Sequence, residues 1–292
     1  MRFAGEQRST YEKSLADISA LLEGFLSQQN IPPEDVAGDT LPAKIRHQLL
    51  RLQTMLRSSK EKAEQDKREI RSLISEIAHQ LRMPLANMEV YLGFLREEAM
   101  ELGEREQYLD AAETSGRQLS FLIESFIKMA RLETNIIQLK KQSRDLKQTV
   151  LSAVLQTEKA AREKSIEIRL DAGAVYTPHD KNWLGEAIGN FLDNSIKYSE
   201  PGSQIEISLT QNDMFARISL RDFGIGIEPE EEHEIFRRFY RGKRVTDQKG
   251  FGLGLYLARE IIARHGGFLK VSRENPGLCC SIFLAYIKNE VL

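Results

Sequence analysis

Ala78-His79-Gln80-Leu81-Arg82-Met83-Pro84-Leu85 lies inside a run whose apolar residues, Ile70, Ile74, Ile77, Leu81, Leu85 and Met88, recur at spacings of 4, 3, 4, 4 and 3. That period puts them on one helical stripe and reads as the seam of a bundle or coiled coil. His79 falls two residues past Ile77, off the seam, and is expected to face solvent. Pro84 removes one helix hydrogen bond and is expected to bend the axis just past the histidine. Upstream, Leu49, Leu50, Leu52 and Leu56 line a face, and the charge-dense run Arg57 to Arg71, free of Gly and Pro, reads as a solvated helix surface. Downstream, Gly103 suggests a turn, after which Leu109, Ala112, Gly116, Leu119, Ile123, Phe126 and Ala130 repeat the 3 and 4 spacing. Two helices carrying one apolar stripe each cannot bury both alone, so the hairpin predicts dimerisation into a four-helix bundle.

Beyond Thr134 the pattern shortens. Strands are expected at Ile136 to Lys140, Ile166 to Leu170, Gln204 to Leu209, Phe215 to Leu220, Phe268 to Ser272 and Cys280 to Ile287. Helices interleave at Leu146 to Lys164, Lys181 to Tyr198 and Leu253 to His265, the last stopped by Gly266-Gly267. Strands with helices on one face make an α/β sandwich. The expected division is a helical segment over 1–45, with one amphipathic helix around Tyr11 to Leu26; a linker helix and hairpin over 46–134; and the sandwich over 135–292.

Composition narrows the function classes. The 292 residues carry 41 basic and 43 acidic side chains, so nothing global favours a nucleic acid or a membrane surface as partner. The two cysteines are adjacent, Cys279-Cys280, which excludes a disulfide framework and metal-ligand spacing and suits a reducing, cytoplasmic compartment. No apolar run approaches the roughly 18 to 20 residues that span a bilayer. A membrane link is therefore expected only through segments outside this sequence.

Three downstream motifs carry chemistry. On the helix Lys181 to Tyr198, Asn190, Asn194 and Lys197 stand at i, i+4 and i+7, one polar face that can orient a magnesium ion and phosphates, with the Asn194 carboxamide oxygen as a hard ligand. Read alone, that face is equally an exposed polar surface. Asp222-Phe223-Gly224-Ile225-Gly226 follows a strand, placing an acceptor for an amino group beside a backbone that turns sharply. Gly250-Phe251-Gly252-Leu253-Gly254 opens a helix whose free N–H groups can cradle phosphate, and it lacks the spacing of a dinucleotide fingerprint.

In this order, the histidine segment and the three motifs resemble the H, N, G1 and G2 boxes of two-component sensor histidine kinases, and Ile235-Phe236-Arg237-Arg238-Phe239-Tyr240-Arg241 resembles their F box. The resemblance covers the chain from His79 onward. It implies a dimerisation and phosphoacceptor bundle followed by a Bergerat-type ATP-binding domain with a mobile lid between the glycine motifs. It implies that His79, assisted by Gln80 and Arg82, takes the γ-phosphoryl of ATP and passes it to an aspartate of a response-regulator receiver domain. Asn190, Asn194, Lys197, Tyr198 and Arg241 become contacts for ATP and Mg2+, Asp222 the adenine reader, and Gly224, Gly226, Gly250, Gly252, Leu253 and Gly254 the hinges and phosphate loop.

Three departures stand out. The family usually has Glu or Asp where this chain has Gln80, which can orient an imidazole and cannot take its proton. Thr or Asn is usual where Met83 stands, and the last glycine-rich turn, usually Gly-x-Gly, reads Gly277-Leu278-Cys279, an expected weakening of that box. Two other readings stay open at this level. One is an ATP-binding module that signals by conformation, and the other is an ATPase of the gyrase or chaperone type.

Overall fold

The computed structural model describes residues 15–16, 18–27, 41–96, 101–133, 139–245 and 250–285. These fall into two compact units, residues 1–83 and 84–292.

In the first unit, residues 18–26 are helical, in keeping with the expected N-terminal helix, whose first residues lie outside the described ones. The long helix α1, Leu41–Phe94, begins in this unit, with Pro42 in the first turn, where a missing N–H costs no intrahelical bond. It continues through Pro84. Leu49 and Leu73 are buried, whereas Leu52 and Leu56, expected on the same apolar face, are exposed, as are Ile70 and Ile74 of the seam.

The second unit holds α2, Leu102–Glu133, and everything after it. Gly103, read as a turn, lies in the first turn of α2, where glycine is least costly because the first N–H groups have no helical partner. Tyr108 of α2 packs on Tyr91 and Phe94 at the end of α1. The expected stripe of α2 is covered only in part within one chain. Ala112 and Phe126 are buried, but Leu109 and Ile123 are exposed, and the fully buried side chains are Leu122, Met129 and Leu132. Phe121, Leu122 and Ile123 are consecutive, so α2 carries two apolar rows at helical spacing and periodicity alone does not choose between them.

The sandwich follows. Strand β1, Gln142–Asp145, leads into α3, Leu146–Glu163; then come β2, Glu167–Ala172, β3, Tyr176–His179, and α4, Lys181–Tyr198. Next are β4, Gln204–Gln211, β5, Phe215–Asp222, the single turn α5, Glu231–Glu234, α6, Gly254–Arg264, β6, Phe268–Arg273, and β7, Leu278–Ala285. Five strands form one sheet in the order β2-β4-β5-β7-β6, with β2 and β4 parallel and the other pairs antiparallel. Ile205, Ile207, Ala216, Ile218, Ile282 and Leu284 point into the core under α3, α4 and α6, while Arg217 and Ser219 alternate to the other face.

The expected strand Ile136 to Lys140 is corrected. Residues 136–138 lie outside the described ones, and Leu139 and Lys140 are not in a strand. β1 instead pairs with β3, which the sequence reading missed, in a separate two-stranded sheet. The expected strand at Cys280 begins two residues earlier, at Leu278, and residues 286 and 287 lie outside the described ones.

Candidate functional site: a cavity between two glycine motifs

Helix α4 is fixed at both ends. At its start Asp180 accepts hydrogen bonds from the N–H groups of Asn182 and Trp183, the N-cap that an Asp supplies well. At its end the Lys164 ammonium donates to the carbonyls of Ile196, Lys197 and Ser199, a cation at the negative pole of the helix. Phe191, Leu192 and Ile196 turn into the core. Asn190, Asn194, Lys197 and Tyr198 turn into a cavity of about 300 Å³, as the i, i+4, i+7 spacing predicts.

Asp222, the last residue of β5, lines the same cavity. Its Oδ1 accepts from the N–H groups of Gly224 at 3.1 Å and Leu278 at 3.2 Å, and its Oδ2 from the Ser195 hydroxyl at 3.3 Å. A carboxylate offers about four acceptor positions, so one remains for a donor from within the cavity. Burial pushes the Asp222 carboxyl above its ordinary range, with those three hydrogen bonds working the other way. The loop after it presses on the end of α4. A Cβ at Gly224 would come within 2.5 Å of the Tyr198 carbonyl oxygen, so glycine is required there.

The lining is also cationic and glycine-rich. Burial, reinforced by the charge of Arg241, lowers the Lys197 pKa, and the Lys197 ammonium sits 4.8 Å from the centre of the Tyr198 ring. Burial raises the Tyr198 pKa, and the charge of Arg241 opposes it. Two cations that disfavour each other across a cavity are stabilised together by a polyanion. Gly250, Gly252, Leu253 and Gly254 lead into α6, whose N-terminus has no side-chain cap. Those first N–H groups and the helix dipole form an anion site. Gly252 has φ of +67° and lies against the backbone of Tyr240, so any side chain would collide. Gly254 is against Asn190, whose Nδ2 donates to Glu186 and leaves its Oδ1 facing the loop.

The structure thus brings together Asn190, Asn194, Lys197, Tyr198, Asp222, Gly226, Arg241, Gly250, Gly252, Leu253 and Gly254 around one cavity, with Gly224 supporting its wall. His79, Gln80 and Arg82 belong to the other compact unit, on α1. His79 and Arg82 are exposed there, and Gln80 is half-buried.

Several lining residues escaped the sequence reading. Asp193 lies within the Asn motif and could have been found there; burial, aided by the charge of Glu186, raises its pKa. Glu231 and Arg244 carried no local signal, whereas Leu278 lies in the last glycine-rich turn. Phe121 reaches the cavity from α2 and stacks on Phe251 of the glycine loop at 5.9 Å between centroids. Further contacts join α2 to this unit, Phe126 with Phe239 at 6.2 Å and Lys128 with Glu186 at 2.6 Å. The third departure leaves the wall intact. Gly277 keeps φ of +98°, lying directly against the Asp222 backbone, and Leu278 donates to the Asp222 carboxylate, while Cys279 is accommodated within β7.

A carboxylate acceptor, two cations, a glycine-lined helix N-terminus and an Asn face around one cavity suit an adenine nucleotide with its phosphates. Comparisons with known proteins agree. Residues 179–288 match the family model of histidine kinase-, DNA gyrase B- and HSP90-like ATPases, and residues 69–135 match the His Kinase A (phospho-acceptor) domain. The sensor protein kinase PmrB of Pseudomonas aeruginosa is 28% identical over 254 residues, 86% of this chain and 52% of that protein. The sensor histidine kinase RppB of Synechocystis is 32% identical over 204 residues, 66% of this chain and 44% of that protein. The chain therefore spans about half the length of these relatives. Among solved structures, the Acinetobacter baumannii histidine kinase AdeS shares the fold with a TM-score of 0.58 at 21% identity, covering 71% of this chain and 97% of its own. The histidine kinase ThkA, in complex with the response regulator TrrA, does so with 0.63 at 19%, covering 77% and 66%. With a phosphoacceptor module followed by this ATPase module, together matching more than half of its residues, the chain belongs to the two-component sensor histidine kinases.

Proposed function

We propose that this chain is the kinase core of a homodimeric sensor. It transfers the γ-phosphoryl group of ATP to a ring nitrogen of His79 and then passes it to an aspartate of a response-regulator receiver domain. The observation that carries the reading is the convergence of Asn190, Asn194, Lys197, Asp222 and Arg241 with the Gly250–Gly254 loop on one cavity. In this reading the boundaries remain 1–45, 46–134 and 135–292, with the helical hairpin as phosphoacceptor and the sandwich as ATP-binding domain.

The adenine amino group donates to the remaining acceptor position of Asp222. Lys197, Arg241 and the N-terminus of α6 hold the phosphates, and burial inside the cavity strengthens each of these interactions. Asn194 is placed to hold a magnesium ion, which would neutralise phosphate charge during transfer. Catalysis is then mainly positioning and charge neutralisation. His79, exposed on α1, has the accessibility that both an ATP-loaded domain and a receiver domain require. Only a neutral imidazole, with a free lone pair on a ring nitrogen, can attack. The apolar side chains left exposed, Ile70 and Ile74 on α1 and Leu109 and Ile123 on α2, support a homodimer.

Incubation with γ-labelled ATP and Mg2+ tests this reading. Acid-labile, base-stable label is expected on the protein, absent from His79→Ala and Asn194→Asp, and chased onto an added receiver domain. Label that persists in His79→Ala would remove His79 from the reaction, and nucleotide binding with no label at all would favour the conformational module.

A further inference from the structure

Between the two glycine motifs, residues 228–243 are organised by one buried carboxylate. Glu231 is only 3% exposed. Its Oε1 accepts from the Tyr240 hydroxyl at 2.8 Å and the Lys243 N–H at 2.9 Å, and its Oε2 accepts from the Glu228 N–H at 2.8 Å. Burial pushes the carboxyl up, but these hydrogen bonds and the Lys243 charge outweigh it and hold the group below the ordinary glutamate range, in its acceptor form. The path it stabilises is not one the backbone adopts unaided. Glu230 and Phe239, neither of them glycine, have φ of +74° and +59°, a conformation that persists only where the surroundings enforce it.

What Glu231 holds is adjacent to the phosphate end of the cavity. Tyr240 and Gly242 flank Arg241, which lines the cavity, and Lys243 follows. The Tyr240 backbone is also the surface against which Gly252 of the phosphate loop lies. A carboxylate at the edge of the cavity that fixes the Tyr240 ring tip and the Lys243 amide therefore fixes the turn that carries Arg241.

We propose that Glu231 is the positioning residue for the phosphate-binding part of the site, setting Arg241 and, through Tyr240, the glycine loop. This rests on the ATP reading above. Loss of the strut lets the Arg241 turn sample other positions, so the ordering cost moves into nucleotide binding and falls on the phosphate contacts alone. Adenine recognition at Asp222 uses β5 and β7 and is unaffected.

The test is calorimetric titration of the full chain with ATP, and with adenosine in competition, for wild type, Glu231→Gln, Arg241→Ala and the double variant. The amide retains the shape but cannot accept from all three donors. Glu231→Gln is expected to weaken ATP about tenfold or more and adenosine less than twofold. On the Arg241→Ala background the same change should cost ATP less than about threefold, because the residue it positions is gone. Equal losses for ATP and adenosine, full additivity in the double variant, or unchanged ATP binding would each overturn the proposal. If Glu231→Gln is too unstable to titrate, Tyr240→Phe, which removes one of the donors, carries the same comparison with a smaller ATP-selective loss expected. A wild-type protein that binds no ATP sinks the ATP reading itself, an outcome distinct from the others.

Discussion

Gln80 follows His79 on α1 and is half-buried, with an amide in place of a carboxylate. An amide can accept a hydrogen bond from the imidazole N–H of His79 but cannot take its proton as charge develops, so Gln80→Glu is expected to raise the rate of autophosphorylation. The gain should be on the order of 10- to 1000-fold if the base limits the reaction, with ATP affinity unchanged. A rate equal to or below wild type, measured under single-turnover conditions, would show that proton removal is not limiting. Met83 should bear on the other half-reaction. At 62% exposed, it tolerates replacement without loss of packing. Met83→Thr is expected to leave His79 labelling alone and to speed dephosphorylation of a phosphorylated receiver domain, because a hydroxyl can hold a water where a thioether cannot. Equal phosphatase rates in the two proteins would count against it. At this scale the motif residues were legible because their spacing matched helix periodicity or a strand end. Glu231 was not, because its partners Glu228, Tyr240 and Lys243 are gathered only by a turn with two left-handed residues.

Among elements, α4 was legible to its last residue, since Asp180 caps its start and Ser199-Glu200-Pro201 stops it. β1 and β3 were not. Each has four residues; β1 carries no buried side chain, and β3 buries Thr177 and His179, both polar, so neither shows the apolar alternation by which a half-buried strand is read. What holds them to the sandwich is a polar cluster with a pH signature. The buried His179 ring meets the Thr149 hydroxyl at 2.7 Å and the Thr177 carbonyl at 2.8 Å. His265 meets the Ile261 carbonyl at 2.8 Å and accepts from the Asp180 N–H, while Asp180 accepts from Lys140. Burial lowers the pKa of both histidines, against the pull of their backbone hydrogen bonds. In the unfolded chain each titrates near 6.5, so the unfolded state takes up protons first as pH falls. Stability is therefore full above about pH 6.5 and declines below it, by at most about 1.4 kcal/mol per pH unit for each histidine. Urea unfolding at pH 7.5 and 5.5 should show that loss, and His265→Gln, which keeps a donor and an acceptor, should reduce it. An unchanged slope in the variant would remove His265 from the linkage.

The molecule as a whole divides its apolar side chains into those one chain can bury and those it cannot. Leu122, Met129 and Leu132 of α2 are at most 1% exposed within a single chain, whereas Ile74 of α1 and Ile123 of α2 stand 60% and 45% exposed. The sequence made the demand for a partner legible, since two amphipathic helices have too few faces to cover each other. It did not identify the row of α2 left for that partner, because both rows have helical spacing. The two sets predict opposite phenotypes. Leu122→Asp places an unpaired charge in a closed site and is expected to unfold the hairpin, seen as loss of helical signal and of melting cooperativity. Ile74→Asp with Ile123→Asp should leave each chain folded and separate the dimer. Fully burying an isoleucine contributes about 1.5–3 kcal/mol, so two substitutions in each of two copies should weaken association at least about 100-fold. Asn194, Lys197, Asp222 and the Gly250–Gly254 loop converge within a single chain, so the separated chain should bind ATP with unchanged affinity. Sedimentation velocity together with ATP titration makes the comparison. A variant that stays dimeric at micromolar concentration would mean that other side chains hold the dimer, and one that loses ATP binding along with association would mean that the cavity depends on the partner subunit.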